Sequence, residues 1–218
     1  PEYRLPNDVL EQEIQKIREE GVHIRLNTEI GKDIPFQTLR DDYDAVYVAT
    51  GTQFPNKTGV PGEDLKGVFH GLPFLHDVSL GKRVRVGKKV VVIGGGNTAI
   101  DAARTALRLG ADNVTIIYRR TREEMPAEWL EIEDGIEEGV ELLTLTAPTQ
   151  FLGENGKVTG MECVKMELGE FDNGGRRKPK QIPGSEFVIE CDMIIPAISQ
   201  HADFPFISRD EVELTAWG

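Results

Sequence analysis

The sequence predicts an α/β chain built around a Rossmann-like βαβ unit at residues 89–120, followed by a meander of antiparallel strands. Three observations predict it. The run Val90-Val91-Val92-Ile93 is apolar at every position, as a parallel strand covered on both faces requires, and it leads straight into Gly94-Gly95-Gly96. Behind the glycines Ala99, Ile100, Ala103, Ala106 and Leu107 recur at helical spacing, and Gly110 stops the pattern. Past residue 140 the apolar period shortens to that of strands, with Asn155-Gly156 as a hairpin signal.

The remaining elements follow in order. Asn7 reads as an N-cap, with Leu10, Ile14 and Ile17 on one helix face up to Gly21. VHIRL at 22–26 reads as a strand, and a short helix over 36–41 follows Pro35. YDAVYVATG at 43–51 reads as a buried strand running into a glycine turn, and the Pro, Gly and polar content of 52–63 reads as a linker. A helix is expected over 72–80. Strand 89–93, turn 94–96, helix 97–109 and strand 114–118 complete the βαβ unit. An acidic helix follows at 128–139, and Glu131, Glu133, Glu137 and Glu138, with Glu123 and Glu124 before it, read as a solvated face. Strands are expected at 140–145, 148–153, 157–168 and 186–196. A second hairpin has its tip near DNGGRRKPK at 172–180, where the basic cluster GGRRKPK at 174–180 reads as a solvated loop, with a partner-docking role as the alternative. No repeat of fixed period is present.

Composition narrows the function. The 218 residues are 39% apolar and 28% charged, an ordinary globular balance. A net charge of −12 repels phosphate backbones and argues against a nucleic-acid partner. No apolar run is long enough to span a bilayer, and no signal peptide is visible. Cys163 and Cys191 form no CxxC, which argues against a disulfide framework, a zinc ribbon or an iron–sulfur cluster within the chain and fits a reducing, cytoplasmic setting. His23, His70, His76 and His201 are scattered, so no metal site is expected. No GxSxG is present, no Tyr is followed four residues later by Lys, and no redox-active cysteine pair occurs. The chain opens at Pro1 inside a loop-like PEYRLP and stops at Gly218 after a strand-like VELT at 212–215, and both ends read as cuts in a longer protein.

The glycine turn carries the chemistry. Gly94-Gly95-Gly96-Asn97-Thr98-Ala99 matches GxGxxA between an apolar strand and an amphipathic helix, the context that gives the motif meaning. Gly94 permits the tight turn, Gly96 lets a pyrophosphate approach the backbone, and Ala99 allows close helix–strand packing. The free amides of the helix N-terminus then face the phosphates. At the end of the second strand an NAD-selective site places Asp or Glu for the ribose hydroxyl. Here stand Tyr118, Arg119 and Arg120, with no acid before Glu123. Guanidinium groups pair with a 2′-phosphate that an acid would repel, so the residues point to NADP(H). Thr50-Gly51 and Ala197-Ile198-Ser199 place small residues at two other strand ends, where a nucleotide or simply a tight turn fits.

PEYRLP, YDAVYVATG, GKKVVVIGGGNTAIDAARTALRLGA, VTIIYRRTREEMPA, EEGVELL, GRRKP, PGSEF and DMIIPAIS, in this order, resemble the glutamate synthase small (beta) subunit family, with the flavin module of dihydropyrimidine dehydrogenase as a relative. The resemblance implies a flavoprotein with two dinucleotide-binding domains. NADPH passes hydride to FAD, and electrons leave through iron–sulfur clusters outside this chain to a large catalytic subunit or a fused acceptor domain. It implies that residues 55–196 are the NADP(H) domain, inserted between FAD-domain remnants at 1–54 and 197–218. It places NADP contacts at Gly96, Asn97, Thr98, Arg119 and Arg120, and Ala197, Ile198 and Ser199 beside the nicotinamide, although the family usually has Gly where Ser199 stands. Arg4 and the backbone near Ile30 correspond to FAD-facing positions. The family's first GxGxxG, its cluster cysteines and its closing flavin segment are not in this sequence, so the chain alone is expected to bind NADP(H) without holding FAD or turning over. No residue reads as a general acid or base, and none is assigned as catalytic. A non-catalytic NADP(H)-binding or partner-docking module is the alternative.

Overall fold

The computed structural model describes residues 1–171, 174–208 and 212–213. The last two residues of the strand-like 212–215 segment, and Asp172-Asn173 at the second hairpin tip, lie outside the described residues. The chain divides into two units, one of residues 2–54 and 200–218, the other of Pro1 and Pro55–Ser199.

The first unit holds α1 (Asn7–Glu19) and α2 (Phe36–Asp42), neither with a buried residue. Pro6, not Asn7, is the N-cap of α1, and no side chain caps it. The strands expected at 22–26 and 43–51 do not form. A strand exists only where a neighbour takes its N–H and C=O groups, and no described strand pairs with either segment. Their apolar side chains therefore stand in the open: Tyr47 is 92% exposed, with Val22, Ile24, Val46 and Val48 exposed beside it in sequence.

The second unit opens with α3 (Gly71–Ser79), then β1 (Lys89–Ile93), α4 (Asn97–Arg108) and β2 (Asn113–Ile117). Next come α5 (Trp129–Glu137), β3 (Glu141–Leu143), β4 (Thr146–Glu154), β5 (Lys157–Phe171), β6 (Arg177–Gln181), β7 (Phe187–Glu190) and β8 (Met193–Pro196). A parallel sheet runs β3-β2-β1-β8, and an antiparallel sheet runs β4-β5-β6 with β7 also on β5.

The all-apolar β1 has a simple cause. Val90 and Val92 face a core built with Ala99, Ile100, Ala103 and Ala106 of α4. Val91 and Ile93 face a second core with Phe151, Met161 and Cys163 of the antiparallel sheet. One face is covered by helices and the other by strands, so neither tolerates a polar side chain. The hairpin at Asn155-Gly156 forms with both residues at positive φ, 51° and 74°, as a tight two-residue turn requires. The strand expected at 186–196 is two strands. At Asp192 the chain passes from the antiparallel to the parallel sheet, and the Asp192 carboxylate accepts the amides of Lys88 and Lys89 at 3.0 and 2.9 Å.

Candidate functional site: a glycine turn at the carboxyl edge of the parallel sheet

Three strand ends meet at one level. The Gly94 amide donates to the Ile117 carbonyl at 3.1 Å and the Ala197 amide to the Ile93 carbonyl at 2.8 Å, so the ladder continues one residue beyond β1, β2 and β8. This places Gly94, Tyr118 and Ala197 side by side at the carboxyl edge, where open α/β sheets bind ligands.

The three glycines are glycine for different reasons. Gly94 has φ +148°, and a Cβ there would lie 2.3 Å from the Ala197 carbonyl oxygen. A Cβ on Gly95 would meet the Tyr118 ring at 2.6 Å. Gly96 has an ordinary extended backbone, φ −93° and ψ 174°, and the nearest atom to its would-be Cβ is Pro126 Cγ at 3.9 Å. Neither backbone nor packing within the protein demands glycine at 96. The space above it is open, as the approach of a pyrophosphate requires. Among the described residues the amides of Gly95, Gly96, Asn97 and Thr98 have no acceptor, while the Gly96 carbonyl already receives Ala99 and Ile100. Four consecutive free N–H groups at the start of α4 make a cradle of partial positive charge.

A loop closes over one side of this turn. Thr121 and Glu124 form a capping box on the short turn Arg122–Glu124. The Tyr118 hydroxyl donates to the Glu124 carbonyl at 2.8 Å, and the Ala127 amide donates to the Gly95 carbonyl at 3.1 Å. Asn97 Oδ1 accepts the Glu128 amide at 3.0 Å, so Asn97 ties loop to helix while its own amide stays free. On the other side the N-terminus of α3 packs in, with the would-be Cβ of Gly71 at 3.0 Å from Ala197 Cβ and 3.3 Å from Thr98 Cγ2. Ser199, where the resembling family has Gly, is held by Asn56, whose amide and Nδ2 donate to its carbonyl and Oγ at 3.0 and 2.6 Å. Ile198 between them is 44% exposed.

The arginine pair is not one feature. Arg119 is exposed and has no side-chain partner among the described residues. Arg120 is 5% exposed, and its Nε donates to the Arg177 carbonyl at 2.7 Å. Arg4, Thr50 and Gly51 lie in the other unit, all exposed, and the Thr50 carbonyl accepts Gln53 Nε2 at 3.1 Å.

The acids read as a solvated face are partly clamps. Arg104 of α4 is 6% exposed and reaches Glu131, Glu138 and Asp134 at 2.5, 2.8 and 3.3 Å, fastening α5 to α4. Arg108 joins Glu138 at 2.6 Å, and the Arg108 bond with the Arg104 pairing lowers the Glu138 carboxyl from 4.5 to about 2. Arg122 pairs with Glu133 and lies 4.0 Å over the Trp129 ring. The signal for Arg104 is present in the sequence, because it stands four residues after Ile100 on the buried stripe. Cys163 and Cys191 are free, buried and pushed up to about 12 by burial, which removes them from thiolate chemistry. Among the described residues no group of His, Cys, Asp and Glu is placed to hold a metal, and no helix is long and apolar enough to cross a membrane.

Comparison with known proteins bears on this arrangement. A family model described as pyridine nucleotide-disulphide oxidoreductase matches residues 8–218. The chain is 48% identical over 225 residues to the NADPH-Fe(3+) oxidoreductase subunit beta of Geobacter sulfurreducens, spanning all of this chain and 33% of that protein. It is 38% identical over 229 residues to the glutamate synthase [NADPH] small chain of Halomonas elongata, spanning all of this chain and 48% of that protein. Among solved structures, Mycobacterium tuberculosis FprA in complex with NADPH shares the fold, with a TM-score of 0.66, 21% identity, 80% of this chain and 54% of that one. The chain thus spans about a third to a little over half of the length of the curated relatives it matches.

Proposed function

The chain belongs to the pyridine nucleotide-disulphide oxidoreductase family, and on that footing we propose that it is the NADP(H)-binding part of a flavin-dependent oxidoreductase of the glutamate synthase small-subunit kind. The observation that carries the reading is the open space at Gly96, surrounded by the unused amides of Gly95, Gly96, Asn97 and Thr98. These groups suit a pyrophosphate. Arg119, the exposed cation beyond β2, suits a 2′-phosphate, and no acid stands beside it before Glu123 to favour a ribose hydroxyl instead. Ala197 and Ile198, at the end of β8, flank the nicotinamide end, and Ser199 holds that turn in place through Asn56.

We assign residues 55–196 to the NADP(H) domain and residues 1–54 and 197–218 to an FAD domain completed elsewhere in the polypeptide. The exposed apolar segments around Val22 and Tyr47 support this, as strands that await neighbours do. Arg4, Thr50 and Gly51 then belong to the flavin side. When bound, the nicotinamide supplies a hydride that the flavin accepts, which needs alignment and no general acid or base from the protein. Electrons then pass through iron–sulfur clusters outside this chain to a larger catalytic subunit or acceptor domain. Relatives described as subunits and small chains support that partner, and the two free, buried cysteines support a cytoplasmic setting.

Titration of the full-length protein with NADPH and with NADH tests the reading. Arg119→Ala is expected to weaken NADPH by about tenfold or more, the worth of one charged hydrogen bond, and to leave NADH nearly unchanged. Equal losses for both would refute the assignment. Bleaching of flavin absorbance by NADPH in the same titration is the expected sign of an enzyme; binding without bleaching would favour a non-catalytic module.

A further inference from the structure

Arg119 and Arg120 are neighbours in sequence with opposite surroundings, and the buried one makes a specific long-range bond. The backbone around it is stitched to the β3–β4 connection. The Tyr118 amide donates to the Leu143 carbonyl, the Thr146 amide to the Tyr118 carbonyl and the Leu145 amide to the Arg120 carbonyl, each at 3.0 Å. The Leu145 carbonyl in turn accepts the Met166 amide of β5 at 2.8 Å, which brings the long hairpin of β5 and β6 to the same place. The Arg120 side chain closes the loop by donating Nε to the Arg177 carbonyl, the first residue of β6. Arg177 supplies only its backbone here, because its own guanidinium turns back to the carbonyls of Gly169 and Leu168.

A buried guanidinium is a costly choice for filling space and keeps its place through the bonds it makes. With Nε committed to the hairpin and 5% of the residue exposed, Arg120 is poorly presented to a ligand in solvent. We propose that Arg120 is a positioning residue for cofactor selectivity: it fastens the β5–β6 hairpin to the end of β2 and so fixes the turn from which Arg119 meets the 2′-phosphate. This rests on the NADP(H) reading of the site. On this view the hairpin belongs to the selectivity apparatus, and of the two adjacent arginines one contacts phosphate and the other holds it in register.

The test uses the full-length protein with Arg119→Gln, Arg120→Gln and Arg120→Lys. It measures NADPH and NADH affinity across a salt series, together with amide exchange of residues 157–171 and 177–181. Arg119→Gln is expected to weaken NADPH by about tenfold, to flatten its salt dependence because a phosphate-facing charge is gone, and to leave hairpin exchange unchanged. Arg120→Gln is expected to speed hairpin exchange and weaken NADPH several-fold while keeping the wild-type salt dependence and NADH affinity. Arg120→Lys keeps the charge but loses the fork, so it should behave like Arg120→Gln. It also carries the test should the Gln variant fail to fold. Flattened salt dependence in Arg120→Gln with an undisturbed hairpin, or full rescue by Lys, would make Arg120 a direct phosphate ligand and overturn the proposal. A loosened hairpin with unchanged NADPH affinity would overturn it too, while an effect of Arg119→Gln would leave the reading of the site standing. Indifference of NADPH to Arg119→Gln would sink that reading itself.

Discussion

Replacing each glycine of the turn by alanine in separate variants should split stability from binding. At Gly96 the added methyl meets nothing nearer than 3.9 Å, and φ −93° suits any residue. Alanine is a poorer N-cap than glycine by about 0.5 kcal/mol or more, and the stiffer unfolded chain returns about 0.4–1 kcal/mol. The net change in stability is expected to stay within about 0.5 kcal/mol, at the edge of what thermal unfolding detects. At Gly94 the same methyl would sit 2.3 Å from the Ala197 carbonyl oxygen at φ +148°, with no flexible side chain to move aside. Overpacking and backbone strain together are expected to cost about 3 kcal/mol or more. Gly95→Ala falls between, because the Tyr118 ring at 2.6 Å is itself held by its hydroxyl bond to the Glu124 carbonyl. NADPH binding should follow a different order. Gly96→Ala, the stable variant, should lose about tenfold to a hundredfold in affinity, because its methyl fills the approach to the free amides. Thermal unfolding and cofactor titration on the same samples check both halves. A Gly96→Ala protein that is stable and binds NADPH like wild type would refute the argument that the open space is reserved for a ligand.

Two further outcomes follow from charge and burial. The Glu138 carboxyl titrates at about 2 when folded against 4.5 as the reference, so its contribution is fully present above about pH 4.5 and is lost as the pH falls toward 2. At a side chain 27% exposed, solvent screening limits that contribution to about 1–2 kcal/mol, and denaturant unfolding should show the gap between wild type and Glu138→Gln closing across this window. A gap that persists at pH 2 would mean that the Arg104–Glu138–Arg108 link does not act through charge. Cys163 and Cys191, raised to about 12 by burial, should resist alkylation at pH 8 in the native protein and react on unfolding. Labelling of either thiol before unfolding, mapped by mass spectrometry, would contradict that burial.

What was legible in the sequence is what has a local cause. The run at 90–93 and the glycine turn announce themselves because each position is constrained by its immediate neighbours. The structure adds only that helices cover Val90 and Val92 while strands cover Val91 and Ile93. The segments 22–26 and 43–51 carry equally good strand patterns and form no strand. A strand pattern states what a segment is able to bury, not whether a partner is at hand to pair with it. The break at Asp192 escaped notice for a related reason. One mostly apolar stretch, 187–196, serves two sheets, and the acid at 192 that separates them is explained only by the Lys88 and Lys89 amides more than a hundred residues earlier.

The candidate site shows the same division at the scale of single side chains. Glycines at 94, 95 and 96 look alike in sequence, yet only the structure separates two that are required by packing from one that leaves room. Arg119 and Arg120 read as a matched pair of cations for one phosphate, and that reading treats charge as if it were freely available. Whether a cation is available depends on what else it bonds, and the acceptor for Arg120 lies 57 residues away on a different sheet. The acceptors of Arg104 lie 27 to 34 residues away on α5 and its C-cap, which is why Glu131 and Glu138, expected to be solvated, serve as part of a helix clamp. In both cases the partner of the cation lies too far along the chain for the local residue pattern to show it. Long-range bonds of this kind leave one of two identical neighbours exposed and the other buried, so the availability of a cation at this turn depends on the fold that seats the arginines as much as on their number.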